Sequence, residues 1–536
     1  MHKSRFYLVA IVIVAALLRF VYLDVIPPSL TWDEAAWGYN AFSLGVDVKD
    51  EFGKNFPLDF IESFGDFKPP MYAYLGILPV KIFGLNEFST RFPSALFGVL
   101  SVITTYFFVL EIFGKQRRGL ALLSAFLLAI SPWHIMLSRA AFEANIAQFF
   151  ILLGIFLFLK SMRNKPYLLM GSVLSFVASM YTFNSARIVV PLVVIVMGLF
   201  FSRKILQQWK TTAIALIVGF IVCLPLFLFL NTPQAKLRFN EVNIFSDSGV
   251  IIRANHQIEN DNYTPISKII HNRRLAYAVE YMRHYVDNLT PQFLFIRGDG
   301  NPKFSIQDVG QLYIWEIPFL IAGVLILFRK RVGIWWIVPV MILIGIIPAG
   351  FARETPHALR IENTLPAFQI LTALGLLSFI SIIPKNKKQI GIGLVSIVVL
   401  LNFVYFAHNY LTHYAREFSG EWQYGYKESV EYVKAQGSGY SDVYVTEALG
   451  RPYIYYLFYM KYDPVLFRSE AQIYREALGF VHVNKFSNIH FTSKIKDVVD
   501  VGALYISTPS EKPESAHILQ EFRLLNGDVA LVAYTL

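Results

Sequence analysis

The chain has 536 residues, of which 55% are hydrophobic and 16% charged. An ordinary soluble domain has roughly a quarter charged residues, so lipid rather than water solvates most of this chain. The formal charge of +10 does not signify nucleic acid, because much of the Lys and Arg lies in short turns beside apolar runs. The single cysteine, Cys223, excludes an intrachain disulfide and a cysteine-based metal site.

In chain order, the first apolar run is 6–23. It follows Lys3 and Arg5 and lacks a small-x-small cleavage site, so it reads as a retained first helix. Residues 24–91 then form one long loop. Within it, 69–84 is apolar but too short to span and is interrupted by Pro79 and Lys81. This predicts an amphipathic helix lying in the interface.

Ten further runs can span: 92–113, 119–137, 145–160, 166–183, 186–202, 211–230, 311–328, 333–350, 358–383 and 389–409. With the first they make about eleven transmembrane helices. The turns at 114–118, 160–165, 203–210, 329–331 and 385–388 are basic and contain no Asp or Glu. With eleven spans all of them fall on one side, the cytoplasmic side by the positive-inside rule. The N-terminus is then cytoplasmic, and the loops 24–91 and 231–310 and the segment 411–536 are extracytoplasmic. The last of these is long enough for its own core. Ser429–Ala435 reads as helix, Asp442–Thr446 and Ala503–Ser507 as strands, and Gly527-Asp528 as a turn before strand Val529–Tyr534. The expected fold is therefore a polytopic α-helical membrane protein, residues 1–410, carrying a C-terminal extracytoplasmic α/β domain.

The chemistry-bearing residues fall on the outer side of this topology. Thr31-Trp32-Asp33-Glu34 follows the first helix; Thr31 or Asp33 can cap the next one, or the acids can do chemistry. Arg139 and Glu143, in an outer turn, can pair with each other or serve a substrate. Lys68 and Arg91 run against the orientation rule. They either snorkel to headgroups or hold a specific phosphate. His357 and Arg360, spaced as one helical turn, add positive charge on the same side. In Arg297-Gly298-Asp299-Gly300-Asn301 a plain Gly/Asn turn competes with an acceptor-binding loop.

Three motifs bring a family into view. They are Asp33-Glu34 after the first helix, Lys68-Pro69 before the amphipathic segment, and Asn86-Glu87-Phe88-x-x-Arg91-Phe92-Pro93-Ser94-Ala95. Their order resembles the GT-C membrane glycosyltransferases, in particular the protein O-mannosyltransferases and the lipid A aminoarabinose transferases. Pro356-His357-Ala358-Leu359-Arg360 with Pro366 resembles a late motif of their bacterial relatives. The resemblance covers roughly residues 1–410 in layout and is most specific in the first loop.

It implies an inverting transferase that moves a sugar, mannose in the common case, from a polyprenyl-phosphate carrier to a protein, lipid or glycan acceptor outside the cytoplasm. By the same resemblance Asp33 matches a general base and Glu143 a second catalytic acid, where the aminoarabinose transferases carry Asp. Lys68 matches the lysine that holds the carrier phosphate, and Arg91 and Arg360 match further phosphate partners. Glu34, Arg139 and His357 complete the candidate substrate-binding set. No cofactor and no metal are expected. The competing reading is a transporter or flippase of a lipid-linked sugar. Against it, the span centres carry almost no charge and no internal repeat is evident.

Overall fold

A computed structural model describes residues 2–163, 165–235, 243–476 and 480–536. Each of the eleven apolar runs contains a helix. The opening elements are α1 (His2–Phe20), α2 (Trp32–Asp47), the strands β1 (Ile61–Ser63) and β2 (Asp66–Lys68), and α3 (Met71–Phe83). There follow α4 (Glu87–Phe113), α5 (Arg118–Ala129), α6 (Pro132–Arg139) and α7 (Glu143–Arg163).

Among the described residues, five helices are long and apolar enough to cross a membrane: Glu87–Phe113, Glu143–Arg163, Trp209–Leu230, Glu362–Ile382 and Lys385–Phe418. The count reaches six if α5 and α6, bent by 55°, form one broken span. The other predicted spans are shorter helices or more charged ones. The run 166–183, for instance, narrows to Leu168–Met180, because the apolar run takes in residues that turn the chain at either end. α3 occupies the predicted interfacial segment. It buries Tyr72, Ala73, Gly76 and Val80 and exposes Leu78, Ile82 and Phe83. Gly76 permits close approach to α2: a Cβ there would lie 2.9 Å from that of Ala41.

The loop 231–310, rich in Asn, Asp, His and Arg, contains an amphipathic helix, Arg273–Asp287. Its Leu275, Val279, Met282 and Val286 are exposed. On another face Tyr285 donates to the carbonyl of Leu343 at 2.7 Å, and His284 Nδ1 lies 2.8 Å from the Ala352 carbonyl. Polar side chains interleaved with this stripe gave the segment its polar composition.

The chain divides into two compact units. The first comprises Met1–Leu18, Phe97–Leu137 and Glu143–Val404; the second comprises Arg19–Leu96, Ser138–Phe142 and Tyr405–Leu536. The second unit holds a seven-stranded mixed sheet in the order β4-β5-β6-β3-β7-β9-β8. Its strands are β3 (Val443–Thr446), β4 (Gln472–Arg475), β5 (Val481–Phe486), β6 (Ile489–Thr492), β7 (Leu504–Ser507), β8 (His517–Arg523) and β9 (Val529–Thr535). β3 runs parallel to β6 and β7, and the other pairings are antiparallel. The predicted helix and strands of this region are all present, with Gly527 in the left-handed region at φ +100°.

Alternation along the strands gives the sheet two apolar faces. Val443, Val445, Phe491, Ile506 and Leu531 share one core with Leu30, Ala35, Tyr39, Phe64 and Leu85 of the first loop. Ion pairs Arg468–Asp47, Arg475–Glu62 and Lys427–Glu87 reinforce that union. The first loop thus folds with the C-terminal segment in one hydrophobic core, although more than 400 residues separate hydrogen-bonded partners such as Tyr39 and Tyr462.

Candidate functional site

Thr31 caps α2. Its hydroxyl accepts from the backbone N–H of Glu34 at 3.3 Å, and Glu34 Oε2 accepts from the N–H of Thr31 at 3.0 Å. This is a capping box, worth about 1 kcal/mol for the threonine alone. It settles the choice of cap on Thr31, and Asp33 stands in the first turn with its side chain 52% exposed.

Glu34, fully buried, pairs with Arg91, also fully buried. A guanidinium has five N–H donors. For Arg91, Nε donates to Glu34 Oε1 at 2.9 Å. Nη1 donates to the carbonyls of Leu23 and Pro27 at 3.1 and 2.8 Å. Nη2 donates to the Ser29 carbonyl and to Glu34 Oε2. All five donors are occupied. The expectation that Arg91 grips a phosphate therefore meets a residue already saturated by the backbone that leads into α2. Arg139, 1% exposed, does similar work: Nη2 donates to the carbonyls of Tyr22 and Ile26 at 3.0 and 2.9 Å. Glu34 Oε1 also accepts from the N–H of Ala141 at 2.9 Å, tying the 138–142 turn to the same point. Together these contacts fix the non-helical segment 21–30 and aim the start of α2.

Lys68 comes from a hairpin in the same loop. β1 and β2 pair antiparallel around Phe64-Gly65, whose φ angles of 62° and 83° suit the right-handed twist of a tight hairpin. Lys68 closes β2 and forms an ion pair with Asp33. Its Nζ lies 5.4 Å from the centroid of Trp37 and 5.3 Å from that of Phe64, an aromatic setting that favours a cation. Its charge acts on Glu51, which sequence reasoning missed. Glu51 is fully buried, and its N–H donates to Asn40 Oδ1 at 2.9 Å. Burial, with Asp50 adding to it, pushes the Glu51 carboxyl up to about 8, while Ser63, Lys68 and Asn40 oppose the rise. Only its place next to the polar turn 48–54 could have flagged it in the sequence.

Three predicted residues belong to the first unit. Glu143 lies in the first turn of α7, where the helix dipole favours a carboxylate. His357 and Arg360 lie in irregular chain before the 3-10 turn Glu362–Thr364. The helical-spacing argument therefore fails for them, though the charge of Arg360 does act on His357. Asp299 organises this stretch. Its Oδ1 accepts from Asn301 N–H at 2.8 Å, the Gly/Asn turn foreseen, and its Oδ2 accepts from Ala358 N–H at 2.6 Å. The N–H of His357 donates to Asn288 Oδ1 at 2.9 Å. Burial, then Arg360, lowers His357 to about 3. The imidazole is therefore neutral, and its 4.0 Å approach to Asp299 is not an ion pair. Burial raises Asp299 to about 6 against its two N–H donors. Among the described residues no group of three His, Cys, Asp or Glu side chains is placed to hold a metal ion.

Comparison with known proteins places this geometry. Residues 67–229 match the family model described as dolichyl-phosphate-mannose-protein mannosyltransferase, a stretch that includes Lys68, Arg91, Arg139 and Glu143. The structure is similar to that of ArnT from Cupriavidus metallidurans, solved bound to undecaprenyl phosphate. The TM-score is 0.54 and the identity 13%, over 98% of this chain and 97% of that one. An uncharacterised protein of Aquifex aeolicus is 34% identical over 125 residues, 23% of this chain and 25% of its own. YkcB of Bacillus subtilis, a candidate mannosyltransferase, is 31% identical over 96 residues, 18% of this chain and 13% of its own. The chain thus spans about a quarter or less of the length of these two relatives. The fold is that of the GT-C membrane glycosyltransferases, in a multi-pass membrane protein.

Proposed function

We propose that the protein is an inverting glycosyltransferase of the cell membrane. It moves a sugar from a polyprenyl-phosphate carrier to an acceptor hydroxyl on the extracytoplasmic face. One observation carries the reading. Asp33, half-exposed, is held against Lys68, which is nearly buried, in a fold similar to that of a protein solved with undecaprenyl phosphate.

The chemistry follows from that pair. An arriving carrier phosphate competes with Asp33 for Lys68. As Lys68 turns to the phosphate, the Asp33 carboxylate is freed to accept a proton. The acceptor oxygen bonds to the anomeric carbon from the face opposite the phosphate, and its proton passes to Asp33. The carbon–oxygen bond to phosphate breaks, and its electron pair leaves with the phosphate oxygen. Lys68 stabilises the charge that grows there, an effect strongest where water is excluded. Proton removal by a positioned base contributes on the order of 100- to 10,000-fold.

Glu143 serves as the second acid and Arg360 as a further phosphate cation. His357, neutral, offers hydrogen bonding and no charge. Glu34, Arg91 and Arg139 are positioning residues, because the Glu34 carboxylate, all five donors of Arg91 and the Nη2 of Arg139 are engaged in fixing the approach to α2. The family description favours mannose as the sugar; a protein, a lipid or a glycan can supply the hydroxyl. The reaction needs no metal, so chelator leaves transfer intact.

The test is mass spectrometry of lipid that co-purifies with the full chain, followed by incubation of that lipid with the protein in liposomes. A polyprenyl-phospho-sugar that is cleaved supports the proposal. A lipid-linked sugar that crosses the bilayer uncleaved establishes the flippase reading instead.

A further inference from the structure

The basic turns 114–118 and 329–331 orient the chain, and the first unit builds something further from them. A cavity of about 410 Å3 opens there between the ends of four helices. Arg117 and Lys330 line it with Gln116, Ser378 and Ser381, and Leu327 belongs to its apolar part. Among the described residues neither Arg117 nor Lys330 makes an ion pair, and no carboxylate lines the cavity. Two cations facing one small space repel each other unless an anion lies between them.

A second cavity, about 780 Å3, adjoins the first. Its walls come from α1, α5 and the helices Ala367–Ile382 and Lys388–His408, through side chains such as Ile11, Leu123, Phe126, Ile380 and Val399. Its surface is almost wholly apolar. The two cavities share Gly119 and Leu377 in their walls. At Gly119 a Cβ would meet nothing within 4 Å, so the junction is open.

A cationic, hydroxyl-lined pocket that continues into an apolar groove has the polarity of one class of molecule. We propose that the face carrying the basic turns binds an anionic glycerophospholipid, its phosphate in the Arg117/Lys330 pocket and an acyl chain running past Gly119 into the groove. Basic pockets between helices on the cytoplasmic side of membrane proteins recognise anionic headgroups in this way. Arg117 supplies a planar donor fork and Lys330 a point charge, while the Ser378 hydroxyl can donate to a remaining headgroup oxygen; the Ser381 hydroxyl already donates to the Ser378 carbonyl at 2.7 Å. The site uses none of the residues assigned to transfer, so it stands or falls separately from the proposed reaction.

The experiment uses the full chain, purified in detergent and stripped of lipid. Phosphatidylglycerol and phosphatidylcholine with identical acyl chains are titrated while bound lipid is counted by native mass spectrometry and the melting temperature is followed. Phosphatidylglycerol is expected to bind and raise the melting temperature, and phosphatidylcholine to do neither. R117Q/K330Q should weaken phosphatidylglycerol binding about tenfold or more. G119L, which keeps both charges and narrows the junction, should weaken it as well. R203Q/K204Q, in a different basic turn, should bind as the natural sequence does. Equal binding by R117Q/K330Q, equal loss in R203Q/K204Q, or full protection by inorganic phosphate alone would each overturn the proposal.

Discussion

Two ion pairs begin at neighbouring residues of one helical turn and meet opposite surroundings. Glu34 and Arg91 are both fully buried, and every donor of the arginine is spent on Glu34 and on the carbonyls of Leu23, Pro27 and Ser29. Asp33 keeps 52% of its side chain exposed, and its partner Lys68 lies near the rings of Trp37 and Phe64. A pair with all its bonds satisfied has nothing left to offer a substrate. A pair with one open member can exchange its partner for a phosphate. Burial and saturation, more than residue type, separate the anchor from the pair proposed to react.

The largest effect should come from breaking the anchor. Removing one member of a buried pair costs about 3–5 kcal/mol, because the other charge is left uncompensated. R91A should therefore fail to accumulate as folded protein, which size-exclusion profiles in detergent will register. An R91A protein that folds normally would show that the Glu34–Arg91 pair is no anchor.

K68A comes next. Loss of one donor at a developing oxyanion costs on the order of 100- to 1,000-fold in rate, and the loss should appear as donor-dependent transfer while the melting temperature changes little. Equal effects on fold and transfer would make Lys68 a second anchor.

Glu51, whose carboxyl feels the charge of Lys68, gives a pH-dependent handle. Its folded pKa of about 8 lies above the reference value of 4.5. The folded state thus keeps a proton that the unfolded chain releases, and stability present below pH 4.5 is lost as pH rises to about 8. The slope is at most about 1.4 kcal/mol per pH unit. E51Q should flatten that slope in melting curves recorded across this range. An unchanged slope would assign the pH dependence to other groups.

The smallest effect belongs to the cap. T31A should lower stability by about 1 kcal/mol and reduce transfer only through the aim of Asp33.

Parts of this arrangement were legible in the sequence because they are local. Thr31 reads as one of two candidate caps for the helix that follows it, and the apolar periods gave a helix in each predicted span, whereas the hairpin that delivers Lys68 was not read. The strands at 443, 504 and 529 were equally plain in their alternation. What stayed hidden depends on chain that returns from afar. The role of Arg91 needs carbonyls 62 to 68 residues earlier, and the link from Asp299 to Ala358 spans 59 residues. The boundary read near residue 410 follows the last apolar run, whereas the hydrophobic core joins residues 30–85 to 426–533. Hydropathy reports where chain leaves the membrane and says nothing of which extramembrane segments then share a core.

The most direct test of the central claim is single-turnover transfer from a polyprenyl-phosphate-linked sugar by D33N, with carrier binding measured in the same preparation. D33N should fold and still bind the carrier, no more weakly than before since Lys68 no longer has a carboxylate to leave, while transfer falls about 100- to 10,000-fold. Transfer at the natural rate by D33N would contradict it.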